Sequence, residues 1–125
     1  MDKNSIVNEV SPSKTQELIK KGYLLLDIRE KREVKNLAFN VPKIMYIPLS
    51  ELVERYAEIP RDQKIIVVCQ SGERSWRAVS YLQKRNFTNL KNMKRGLEKW
   101  IQKGFPIIGN PTSILENSSC ESSNY

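Results

Sequence analysis

The sequence predicts an α/β fold, a single domain built on a parallel sheet of about five strands with helices on both faces. Three observations predict it. Two apolar runs, YLLLDI at 23–28 and KIIVVC at 64–69, are nearly continuous, which suits strands covered on both sides. Strand-like and helix-like segments alternate along the chain, the pattern of parallel sheets with crossover helices. The 125 residues are 39% hydrophobic and 28% charged, enough for one globular unit with its own core.

Taken in order, SIVNEV (5–10) reads as a short edge strand. Ser11-Pro12-Ser13 reads as a helix start, with Ser13 and Gln16 at capping-box spacing and Pro tolerated in the first turn. Leu18 and Ile19 would face the core, and Gly22 would stop the helix. YLLLDI is the next strand, followed by a short charged helix over 30–35. IMYI (44–47) is a third strand, closed by Pro48. A helix from Ser50 would carry Leu52, Val53 and Tyr56 on one face, and Pro60-Arg61-Asp62 would turn into KIIVVC. The helix after it begins within 73–75 and runs to about 85, with Ser75, Ala78, Val79 and Leu82 as its core stripe at i, i+3, i+4, i+7. NLKNM (89–93) is the last strand, and LEKWIQKG (97–104) is a helix ended by Gly104 with Pro106 beyond. The domain is expected to span 1–108, and the Ser/Asn-rich stretch 109–125 to be a disordered polar tail.

Composition narrows the chemistry. There is no histidine, which excludes His-based zinc sites, Ser–His triads and Cys–His pairs. The two cysteines, Cys69 and Cys120, are too few for a disulfide scaffold, and no metal or cofactor is expected. Cys120 reads as a bystander in the tail, with a resolving thiol as the alternative. No apolar run approaches a membrane span and MDKNSIVNEV lacks an apolar h-region, so a cytoplasmic protein without membrane contact is expected. The net charge is +7, and the two tail glutamates, Glu116 and Glu121, leave the body at +9. Such a charge favours anionic partners. Lys and Arg are scattered, and no helix-turn-helix, zinc-ligand or aromatic–basic strand motif is present, so nucleic acid is not the expected one.

The stretch VVCQSGERS (67–75) concentrates the chemistry. An apolar strand ends at Cys69, and polar residues lead into a helix. In open parallel sheets, ligands bind outside the carboxyl ends of the strands. Gly72 permits backbone angles closed to other residues, so successive N–H groups of Gln70, Ser71, Gly72, Glu73, Arg74 and Ser75 could point inward as a nest. The helix N-terminus and Arg74 add positive potential there. Together they would stabilise an anion at the loop centre, whether a Cys69 thiolate, a persulfide or a departing oxyanion. The bland reading is an inert, buried cysteine at a strand end.

Cys69, Gly72, Arg74 and Ser75 match Cys-x-x-Gly-x-Arg-Ser, and in this the loop resembles the active loop of rhodanese domains, the sulfurtransferase family. The resemblance extends to LLLDIRE (24–30), IPLSEL (47–52), IPRDQKIIVVC (59–69) and NMKRGLEKWIQKGFPI (92–107), four segments in order. It implies that Cys69 is the nucleophile. Cys69 would take a sulfane sulfur from an anionic donor such as thiosulfate or polysulfide and pass it, as a persulfide, to a thiol or sulfur-carrier acceptor. Residues 70–75 would cradle that persulfide, with Arg74 bracing the loop or facing the donor. It further implies supporting roles for Asp27, tying down loop backbone, and Arg29, in a surface ion pair. Trp76 and Arg95 stand where they could form the pocket rim, and Trp100 reads as core. The chain departs from the family in NLAFNVPKIMY (36–46), which replaces Gly-His-Ile-x-Gly-Ala, and in Arg95-Gly96, which replaces Gly-Gly. Two alternatives remain: a non-catalytic or carrier-docking binding module, and a phosphatase or arsenate-reductase relative on the same fold. The latter needs a roomier loop than the four residues between Cys69 and Arg74, and Glu73 would repel phosphate.

Overall fold

The computed structural model describes residues 6–111, so Cys120 and most of the expected tail lie outside the described residues. Among the described residues, seven strands and five helices follow one another: β1 (Glu9–Val10), α1 (Pro12–Lys20), β2 (Leu24–Asp27), α2 (Lys31–Asn36), β3 (Leu37–Phe39), β4 (Ile44–Tyr46), α3 (Leu52–Arg55), β5 (Ile65–Val68), α4 (Glu73–Gln83), β6 (Leu90–Met93), α5 (Gly96–Gln102) and β7 (Ile107–Gly109). Five strands form one parallel sheet in the order β1-β6-β5-β2-β4. The α/β architecture is the expected one.

Strand alternation divides the core into two layers. Leu24, Leu26, Ile28, Ile65, Val67 and Cys69 face one way and meet Ala78, Val79 and Leu82 of α4 together with Leu52 and Phe87. Leu25, Ile66, Val68 and Met93 face the other way and meet Leu18 of α1 and Leu97 and Trp100 of α5. β2 and β5 are thus buried along their whole length and lie at the sheet centre. Trp100 is core: its ring packs edge-on against Phe39 and Phe105, and its Nε1–H donates to the Pro106 carbonyl at 2.8 Å.

Several local expectations are corrected. The N-cap of α1 is Ser11, not Ser13: its Oγ accepts the Lys14 N–H at 3.0 Å. Pro12 occupies the first helical position and holds the residue before it extended, so the cap must fall at Ser11. Val53 does not join Leu52 and Tyr56 on a core face and is 61% exposed. The region is one turn of α-helix between 3₁₀ turns at Leu49–Glu51 and Tyr56–Glu58, too short to bury adjacent residues together. The sequence reading misses β3 and β7, which pair antiparallel in a small second sheet and carry the fold to Gly109. Among the described residues, no helix is long and apolar enough to cross a membrane.

Candidate active site

β5 delivers Cys69 to the carboxyl edge of the sheet, where residues 70–72 turn the chain into α4. Gly72 makes the turn possible. Its φ is +102°, and it is the N-cap of α4. The Cys69 sulfur is fully buried and accepts the N–H of Gly72 at 3.1 Å and of Ser75 at 3.3 Å. Two of the expected ring of N–H groups thus reach it. The Ser75 hydroxyl lies 3.2 Å from the sulfur and 3.2 Å from the Gly72 carbonyl. With Cys69 as a thiol, S–H donates to Ser75 Oγ and the hydroxyl donates to the Gly72 carbonyl. With Cys69 as a thiolate, the hydroxyl turns its single proton to the sulfur. The Gly72 carbonyl then still has Asn92, whose Nδ2 donates to it at 3.3 Å and to Glu9 Oε2 at 2.8 Å. Both neighbours are acceptors, which fixes the Asn92 amide orientation.

A second loop locks the first. Arg95 adopts φ +71° at the start of α5, and Gly96 follows at φ +58°. The N–H groups of Leu97 and Glu98 donate to the carbonyls of Cys69 and Gln70 at 2.9 and 3.0 Å. A Cβ on Gly96 would lie 2.4 Å from the Gln70 carbonyl, and one on Gly72 would lie 2.8 Å from the Arg95 nitrogen. The absence of both side chains lets the two backbones touch.

Arg74 braces the loop from outside. Its guanidinium forms a two-pronged ion pair with Glu33 of α2, at 2.7 and 2.8 Å. Glu33 also accepts the Glu30 N–H at 2.9 Å, closing the capping box of α2. The Arg74 guanidinium holds the Glu33 carboxyl below the usual carboxylate range, and Glu33 in turn raises Arg74.

Asp27 and Arg29 form a buried pair, which corrects the expectation of a surface ion pair at Arg29. Arg29 is 1% exposed and binds the Asp27 carboxylate through Nε and Nη2 at 2.9–3.2 Å. Asp27 also accepts the Arg29 N–H at 3.0 Å, so the backbone it ties down is its own strand end and not the cysteine loop. A guanidinium this deep persists only because the carboxylate meets it in a planar fork. Gln70 is half-buried, whereas Ser71 and Glu73 are exposed. Beside the loop, Ser71, Gly72, Glu73, Trp76, Arg77, Lys94, Arg95 and Glu9 line an open cleft of about 470 Å³. Trp76, 43% exposed, and Arg95 therefore both stand at its rim, and Arg77, Lys94 and Arg95 have no acidic partner among the described residues.

The sequence reading does not single out Glu33, Asn92 or Glu9. Glu33 has one local signal, its capping spacing from Glu30. Asn92 has only its polarity inside a strand.

The family model for the rhodanese-like domain matches residues 11–103. The chain belongs to this family. A relative, a sulfurtransferase of Allochromatium vinosum, is 32% identical over 105 residues, covering 82% of this chain and 96% of that protein. A rhodanese-related protein of Thermoplasma volcanium superposes with a TM-score of 0.73 at 31% identity, covering 82% of this chain and 99% of its own. The polysulfide-sulfur transferase homodimer of Wolinella succinogenes shares the fold, with a TM-score of 0.72 at 21% identity over 83% of this chain and 80% of that one. The fold and the rhodanese-like sulfurtransferase family expected from the sequence are both borne out.

Proposed function

We propose that this domain transfers sulfane sulfur through a persulfide on Cys69. One observation carries the reading: the Cys69 sulfur sits at the start of α4, accepting two backbone N–H groups with the Ser75 hydroxyl as a third donor. This arrangement suits sulfur bearing negative charge. The Cys69 thiolate attacks the outer sulfur of an anionic donor. With thiosulfate, the S–S bond breaks and sulfite leaves with the bonding electrons. With polysulfide, a chain shortened by one sulfur leaves. An acceptor thiolate then attacks the outer sulfur of the persulfide, and Cys69 departs as thiolate. Arg74 is neutralised by Glu33, which makes it a brace. Attraction of an anionic donor therefore falls to Arg77, Lys94 and Arg95 in the adjoining cleft. Cys69 has no exposed surface, so donor entry requires the loop to part.

The test is intact mass spectrometry after incubation with thiosulfate or polysulfide. The expected result is one added sulfur atom, lost with cyanide or excess thiol and absent in Cys69→Ala. No adduct with either donor, in a protein whose Cys69 is verified as free, would sink the reading and leave a docking module as the better one.

A further inference from the structure

Asn92 is a polar residue at a position where an aliphatic one would pack. It is fully buried in β6, and its Oδ1 is sealed from solvent with no hydrogen-bond partner among the described residues. A buried, unsatisfied amide oxygen is destabilising. Leu90, two residues earlier on the same face of the strand, belongs to the apolar layer under α4. Packing therefore does not account for an amide at position 92.

Its Nδ2 does. That nitrogen donates to Glu9 Oε2 on the edge strand β1 at 2.8 Å and to the Gly72 carbonyl at 3.3 Å. The same carbonyl accepts the Trp76 N–H at 3.2 Å, the opening hydrogen bond of α4. The Ser75 hydroxyl, 3.2 Å away, is a third donor to it. A carbonyl oxygen has two lone pairs. Asn92 and Trp76 fill both, so the bond from Ser75 is the surplus one. The Ser75 hydroxyl has a single proton and a second acceptor at the same distance, the Cys69 sulfur at 3.2 Å. With Asn92 in place, the hydroxyl can turn to the sulfur and both lone pairs of the buried carbonyl stay satisfied. Without Asn92, the same turn would leave one of them empty, which opposes it.

We propose that Asn92 is a positioning residue for the Cys69 thiolate: it holds the Gly72 carbonyl and so releases the Ser75 hydroxyl to donate to the charged sulfur. It touches neither the sulfur nor a substrate. The inference rests on Cys69 reacting as a thiolate, as in the proposed persulfide route, and its test uses no sulfur donor. The test is a double-mutant cycle read by the ultraviolet absorbance of the thiolate against pH. The full-length chain carries Cys120→Ser, which leaves Cys69 as its single thiol, and the matching Cys69→Ala chain supplies the baseline. Asn92→Leu should move the rise of the thiolate band upward by about 0.5–1 pH units, the worth of one hydrogen bond. Ser75→Ala should also move it upward. In the Ser75→Ala background there is no hydroxyl to release, so Asn92→Leu should add nothing there. The charged side chains around the loop are Arg74 with its partner Glu33, and Glu9, Glu73, Arg77, Lys94 and Arg95 of the adjoining cleft. None of them is substituted, so their field is common to both arms of the cycle. Asn92→Val, a strand former without a donor, makes the same comparison if Asn92→Leu does not fold. An equal shift with and without the Ser75 hydroxyl, no shift with the hydroxyl present, or an unchanged band in Ser75→Ala would each overturn the proposal. These outcomes are independent of whether thiosulfate or polysulfide leaves an adduct on Cys69, so failure here is distinct from failure of the persulfide reading.

Discussion

Replacing Gly96 by alanine tests whether the cysteine loop is held by backbone contact. Two costs add. At φ +58°, an alanine sits in the left-handed region, at about 1–2 kcal/mol. Its Cβ would also stand 2.4 Å from both carbonyl atoms of Gln70 and 2.6 Å from the Cys69 oxygen. These are backbone atoms, which cannot swing aside as a side chain would, and overpacking of this kind costs about 1–3 kcal/mol. Gly104 isolates the first cost, since its φ is +76° and nothing lies within 4 Å of its Cβ position. Gly104→Ala should therefore lose about 1–2 kcal/mol, and Gly96→Ala about 2–5 kcal/mol. Urea unfolding of both variants measures the difference. Gly96→Ala should also slow sulfur loading of Cys69, because relief of the clash separates Leu97 and Glu98 from the loop carbonyls, while Gly104→Ala should load normally. Equal destabilisation of the two variants, or unimpaired loading by Gly96→Ala, would refute the account of the loop as a backbone interlock.

Two further outcomes are expected. Glu33 has a depressed carboxyl pKa in the folded state, so its pairing with Arg74 stabilises above the ordinary value of 4.5 and is lost as pH falls through the folded value. The stability gap between the parent and Glu33→Gln, about 1 kcal/mol near neutral pH, should shrink as the pH is taken below 4.5 in urea titrations, and a gap that widens on acidification would contradict the pairing. Asp27→Ala strands the buried Arg29 guanidinium and should cost about 3–5 kcal/mol, whereas Asp27→Ala combined with Arg29→Met should cost less than Asp27→Ala alone. A double variant less stable than the single one in thermal unfolding would show that Arg29 is not a stranded charge once Asp27 is gone, and would refute this account.

The central strands and the cysteine loop were legible because their signals are local. β2 and β5 declare themselves through unbroken apolar runs, and the α4 stripe of Ser75, Ala78, Val79 and Leu82 is buried as its spacing implies. β3 and β7 were illegible: each has three residues, too few for any period to register, and each exists only by pairing with the other across the length of the domain. Arg29 read as a surface group because a charged residue after a strand normally is one. Its burial depends on the fork with Asp27, a matter of side-chain geometry that spacing does not carry. Glu33 and Asn92 escaped for a related reason. Each contacts the loop from another element, Glu33 at Arg74 and Asn92 at Gly72. The Cys-x-x-Gly-x-Arg-Ser match therefore located the sulfur but not the groups that hold its loop in place.

The bonds from Leu97 and Glu98 to the loop carbonyls also bear on timing. Those two amide protons can exchange with deuterated solvent only when the contact between loop and α5 opens. On the proposed route the covered sulfur becomes reachable through displacement of the same loop. Deuterium uptake at two positions in a neighbouring helix would then count the molecules ready to react, in the absence of any substrate. A rigidifying substitution in α5 would lower that count without touching the cysteine, and the speed of the domain would be adjustable from a helix that carries none of its chemistry.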